Sequence, residues 1–96
     1  MAKYYLSNDA KEDLVRIHQY GTRKFGITQA DKYFNAFFEY FEIIAENPKS
    51  FESVDFIRPG YRRCVCGVDS IFYRQIDDRV EIMAIIGRQD LDAVFK

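Results

Sequence analysis

Residues 61–87 read YRRCVCGVDSIFYRQIDDRVEIMAIIG, and this stretch decides the fold. Tyr61–Cys66, Ser70–Ile76 and Val80–Ile86 are rich in β-branched and aromatic side chains, as strands are. Gly67-Val68-Asp69 and Asp77-Asp78-Arg79 separate them and have turn chemistry. Three strands joined by two tight turns make an antiparallel meander. Gly87 closes the last strand, and Arg88–Lys96 is expected to be a short tail of one helical turn.

Upstream the apolar period changes from two to between three and four. Ala10, Leu14, Ile17, Gly21 and Phe25 form one helical stripe, widened by Val15 and Tyr20. Ser7 is placed to cap this helix, Asp9, Glu12 and Asp13 suit its positive end, and Gly26 terminates it. Ala30, Tyr33, Phe34, Phe37, Phe38, Phe41, Ile44 and Ala45 form the apolar face of a second helix. Thr28 is expected to cap it, with Asp31 at the third position, and Asn47-Pro48 to end it. The connection Gly26-Ile27 is so short that the two helices must run antiparallel. Residues 48–59 show no period and are expected to be irregular. Tyr4, Tyr5 and Leu6 mark a first strand over Lys3–Ser7, which must join the meander. The expected fold class is α+β: an N-terminal strand, an antiparallel two-helix hairpin and a three-stranded antiparallel meander completing a small sheet.

Composition narrows the function classes. The chain has 96 residues and a net charge of −1, the size of one domain over residues 1–96. Apolar residues are 48% of it, enough for a packed core and too many for disorder. Two cysteines do not make a secreted disulfide framework. The N-terminus lacks an apolar leader, and no apolar run approaches a membrane span, so a cytoplasmic protein without membrane attachment is expected.

Positive charge is lysine-rich before residue 50 and almost all arginine after it: Arg58, Arg62, Arg63, Arg74, Arg79 and Arg88. Acidic residues balance both halves, which argues against nonspecific or sequence-specific nucleic-acid binding. Arginine is the residue of bidentate contact with carboxylate or phosphate. Recognition is therefore expected on the C-terminal half. Arg62 and Arg63 are adjacent on a strand, so they point to opposite faces. The arginines either converge on one face or end of the sheet, or are solvated charges guarding its edges.

Other candidates are weaker. Cys64 and Cys66 share a strand face, but the single histidine, His18, lies on a predicted helix and supplies no ligand set. No metal or cofactor is expected. His18 also lacks the nucleophile or orienting partner that a general base needs. No phosphate loop or nucleophile motif occurs, so no catalytic residue is assigned.

Six short motifs in register carry a resemblance. They are Leu6-Ser7-x-x-Ala10-x-x-Asp13-Leu14, Thr22-Arg23-Lys24-Phe25-Gly26-x-x-Gln29-Ala30 and Glu46-Asn47-Pro48. Arg58-x-Gly60-Tyr61-Arg62-Arg63, Ile71-Phe72-Tyr73-Arg74 and Ile85-Ile86-Gly87-Arg88-Gln89-Asp90-Leu91 complete the set. Together they resemble the ParE branch of the RelE/ParE toxins of bacterial type II toxin–antitoxin systems, over nearly the whole chain. The resemblance implies the fold read above and a toxin–antitoxin hetero-oligomer with a ParD-like antitoxin. It also implies a non-enzymatic action, the poisoning of DNA gyrase. The arginines at 58, 62, 63, 74 and 88 would then meet acidic groups of antitoxin or target.

RelE-type relatives instead cleave messenger RNA on the ribosome, with an arginine three residues before a strand tyrosine and a second tyrosine in the tail. Here the strand tyrosine corresponds to Tyr73, the arginine position is Ser70, and the tail 88–96 has no hydroxyl. Glu81 and His18 are the residues that would keep a ribonuclease alternative open. An inert adaptor built on the same fold is the third reading.

Overall fold

The computed structural model describes residues 3–87. The elements are β1 (Lys3–Leu6), α1 (Asn8–Phe25), α2 (Ile27–Glu46), β2 (Glu52–Ser53), β3 (Tyr61–Cys66), β4 (Asp69–Ile76) and β5 (Arg79–Gly87). The expected tail helix lies outside the described residues.

Ser7 caps α1 as its sequence position predicts: its hydroxyl oxygen accepts from the Ala10 N–H at 3.1 Å. The second cap differs from expectation. Helix α2 begins one residue before Thr28, and Gly26 serves both as the last cap of α1 and the first of α2. Its φ of 90° and ψ of 161° are open to glycine and strained for other residues, so the chain reverses with no linker and no side-chain cap. Asp31, expected in a capping box, pairs instead with His18 of α1 at 2.7 Å.

The sheet order is β1-β5-β4-β3-β2. The meander β3-β4-β5 is antiparallel, and β1 joins β5 in parallel, Lys3 opposite Arg79 through Leu6 opposite Ile82. Both turns are two residues long, Gly67-Val68 and Asp77-Asp78. The segment expected to be irregular contains the two-residue edge strand β2, which pairs Glu52 with Arg63 and Ser53 with Arg62. Its pairing partners come from β3, so no local period announces it.

A bulge between Phe72 and Tyr73 shifts the register from Ala84 to Ile82, skipping Met83. This shift lets Val80, Ile82 and Ile85 all face the helices although their spacing is two and then three. They pack with Cys64, Cys66, Ile71 and Tyr73 against Ala10, Leu14, Ile17, Phe37, Phe41 and Ile44. The predicted stripe of α1 holds as far as Ile17. Val15, Tyr20 and Phe25 are exposed instead, off the buried stripe of Ala10, Leu14 and Ile17. Gly21 marks the contact between the helices: a Cβ there would sit 3.4 Å from the Ala30 Cβ. On the opposite, outer face, Val54, Phe72, Ala84 and Ile86 form a smaller core with Ile57 and Tyr61.

Candidate functional site

The arginines are distributed by strand alternation. Arg63 and Arg74 lie on the outer face, on neighbouring strands and two residues apart in register, since Arg63 is opposite Phe72 and Tyr61 is opposite Arg74. Arg63 donates through Nε to Glu52 at 2.7 Å, and Arg74 pairs with Glu81 at 3.2 Å. The Arg74 Nε is buried and makes no hydrogen bond. Arg62 is opposite Tyr73, on the helix face. There it donates to the Phe51 carbonyl at 2.7 Å and holds the segment after α2 against the sheet. Arg58 is exposed in the loop after Val54, whose carbonyl accepts from its N–H at 3.1 Å. Arg88 lies outside the described residues. The structure thus brings Arg63 and Arg74 together and sends Arg62 to the other side, as alternation requires.

Tyr73 is fully buried, and its hydroxyl donates to the Pro48 carbonyl at 2.8 Å. Burial pushes its pKa up to about 12, although the nearby Arg62 charge lowers it. The phenol therefore keeps its proton at neutral pH and holds it in the bond to Pro48. Ser70 stands between Val65 and Ile86, with no cation supplied from its own position. Glu81, in contact with Arg74, is on the outer face, whereas His18 is on α1 against Phe34 of α2. The sheet separates them, so they do not form one acid–base pair.

The thiols of Cys64 and Cys66 are buried, and burial pushes both up to about 11. They are packing residues of the helix face. Beside them the buried Asp69 accepts a 2.8 Å hydrogen bond from the Tyr33 hydroxyl, which also lies 2.8 Å from the Cys66 carbonyl. This contact ties the β3–β4 turn to α2. It also requires glycine at 67, where a Cβ would come within 2.7 Å of the Tyr33 ring. Among the described residues no group of three or more histidine, cysteine or acidic side chains is arranged to hold a metal, and no helix is long and apolar enough to cross a membrane.

Sequence reading missed what Asp13 and Arg16 do. Both reach from α1 to the backbone of Ile85, 69 to 72 residues away. The sequence marks Asp13 as a motif residue but contains no local signal of its partner.

Residues 4–91 match a family described as the ParE toxin of the type II toxin–antitoxin system, parDE. The chain belongs to the ParE toxin family. Toxin ParE1 of Caulobacter vibrioides is 38% identical over 86 residues, covering 90% of this chain and 88% of its own. Toxin ParE1 of Mycobacterium tuberculosis strain H37Rv is 29% identical over 93 residues, covering 95% of each. A solved structure titled as a chromosomal ParDE TA system from P. aeruginosa superposes with a TM-score of 0.80. It is 18% identical and covers 91% of this chain and 96% of that one, so it supports the ParE fold. The match begins at Tyr4 in β1 and runs past the end of β5, so both sheet faces described above belong to the ParE unit.

Proposed function

We propose that this ParE-family chain poisons DNA gyrase by binding it, without catalysis of its own, and that a ParD-like antitoxin neutralises it in a hetero-oligomeric complex in the cytoplasm. The observation that carries this reading is the family match over residues 4–91, which spans every element of the fold. The state of Tyr73 supports it over messenger RNA cleavage. In-line attack by a 2′-hydroxyl needs a base, an acid and cations on the phosphate. The tyrosine that corresponds to the RelE strand tyrosine is buried on Pro48, and Glu81 and His18 lie on opposite sides of the sheet. Contact with antitoxin or target is proposed at Arg58, Arg62, Arg63, Arg74 and Arg88. Arg63 and Arg74 are the pair that share a face, where each already holds one carboxylate at the surface. Such exposed pairs exchange readily for others, because each is worth less than about 1 kcal/mol.

The test adds purified chain to gyrase and supercoiled DNA. Accumulation of cleaved DNA, reversed by the antitoxin encoded beside the chain, is expected. Primer extension on messages from cells expressing the toxin should show no new 5′ ends within codons before growth stops. Such ends, with gyrase unaffected, would replace this reading by the ribonuclease one. Expression without antitoxin that leaves growth unchanged would mean an inert adaptor.

A further inference from the structure

Four charged side chains share the outer face on four neighbouring strands. Glu81 on β5, Arg74 on β4, Arg63 on β3 and Glu52 on β2 follow one another across the sheet, since Arg74 is opposite Glu81 and Arg63 is opposite Glu52. The two arginines are diagonal neighbours on β3 and β4, a separation of about 7–8 Å. Their like charges are adjacent, and each is balanced by the acid on its far side. The balance is unequal. Arg63 holds Glu52 through both Nε and Nη2, whereas Arg74 reaches Glu81 through Nη2 alone at 3.2 Å. All four side chains keep a quarter or more of their surface open to solvent.

This pattern is a receptor for carboxylates whose places are already taken. We propose that Glu52 and Glu81 are internal competitors: they occupy Arg63 and Arg74 until two carboxylates on the surface of the target displace them, and so they set how tightly the target is held. The inference rests on the gyrase reading above and adds what regulates that contact. Two observations favour carboxylate over phosphate. Both guanidinium groups are already held in carboxylate pairs, and the chain has a net charge of −1, without the positive excess that a nucleic-acid surface needs. Exchange is feasible because an exposed pair is weak, so a partner's acid replaces the internal one with little loss. Taking the charge from an internal acid leaves its arginine open and strengthens the contact.

The test measures binding of the full chain to purified gyrase without DNA, with a DNA duplex alone as a second arm. Glu52→Gln with Glu81→Gln keeps both shapes and removes both charges. It should bind gyrase more tightly than the wild type does, by about two- to five-fold for each acid. Arg63→Ala with Arg74→Ala should bind several-fold more weakly. Glu39→Gln with Glu46→Gln makes the same change in net charge at two exposed residues of α2 and should stay within about two-fold of the wild type. An equal gain in that control overturns the proposal in favour of net charge. A gain that appears on DNA alone overturns it in favour of phosphate. If the Glu52→Gln/Glu81→Gln protein does not fold, Glu81→Gln alone decides, because it leaves the Arg63–Glu52 pair intact. Wild-type binding to gyrase with no gain in the folded glutamine variant overturns this inference only. A wild type that does not bind gyrase overturns the gyrase reading and this inference with it.

Discussion

The two faces of the sheet are built differently. The helix face carries a continuous apolar layer in which even the polar groups are structural: Tyr73 bonds Pro48, Tyr33 bonds Asp69, and both thiols are buried. The outer face has a small apolar patch around Phe72 and, toward the open ends of the strands, charged pairs and exposed rings, with Arg79 stacked 5.2 Å from the Tyr5 ring. The helix face is closed by its own packing. The other can trade contacts at small cost. The period-two alternation of three strands thus gathers the buried apolar layer on one face and sets Arg63 and Arg74, two of the arginines proposed above as contacts, on the other.

The strongest way to break this comparison is Phe37→Ala. Phe37 is fully buried on the helix face and stacks 4.9 Å from Tyr33 and 6.4 Å from Phe41. Truncation should cost roughly 3–5 kcal/mol. That is a large fraction of the ~5–15 kcal/mol of such a domain. Thermal melting should fall sharply, and growth inhibition should fall in step with it.

Alkaline pH is the second test, because it attacks the helix face as a whole. The Cys64 and Cys66 thiols are raised from 9.0 to about 11, and Tyr73 from 10.0 to about 12. The unfolded chain loses these protons first, so it binds fewer protons than the folded chain between pH 9 and 12. Stability is therefore complete below pH 9, falls as pH rises through that window, and levels off above it. Urea midpoints measured from pH 7 to 11 should show the decline. A flat profile would mean that the thiols are not held in the core.

Tyr73→Phe is smaller. It keeps the ring and removes only the bond to Pro48, leaving that carbonyl without its partner at a cost of about 1–3 kcal/mol. Growth inhibition should persist at permissive temperature, because the hydroxyl is structural. Abolished inhibition in a folded Tyr73→Phe protein would return the tyrosine to chemistry.

The smallest effect on stability is expected on the outer face. Arg63→Ala and Arg74→Ala each remove one partly exposed ion pair and should shift stability by less than about 1 kcal/mol. Toxicity should fall while melting temperature holds. Full toxicity in the double variant would leave these arginines as edge charge alone.

Much of this was legible in the chain itself. Period and turn chemistry gave the two helices, their antiparallel order, the Ser7 cap and the three strands of the meander, because those signals are local. The site was legible in part. Alternation separated Arg62 from Arg63 before any coordinates, and the ParE motifs pointed to the family. The Thr28 cap failed because Gly26, free to take positive φ, served both helices with no linker between them.

What remained belonged to tertiary structure, for one physical reason: the deciding partners are distant in sequence. Strand β2 exists because Arg62 and Arg63 offer it a ladder. Met83 is skipped because a bulge brings Val80, Ile82 and Ile85 to the helices together. Phe25 continues the apolar period of α1 yet is exposed, because among the described residues none distant in sequence packs over it. Asp13 looks like any acidic residue near the start of a helix until Ile85, 72 residues on, presents its N–H. Local backbone preference was written in the sequence; which strands pair and which face closes appeared only when the chain packed against itself.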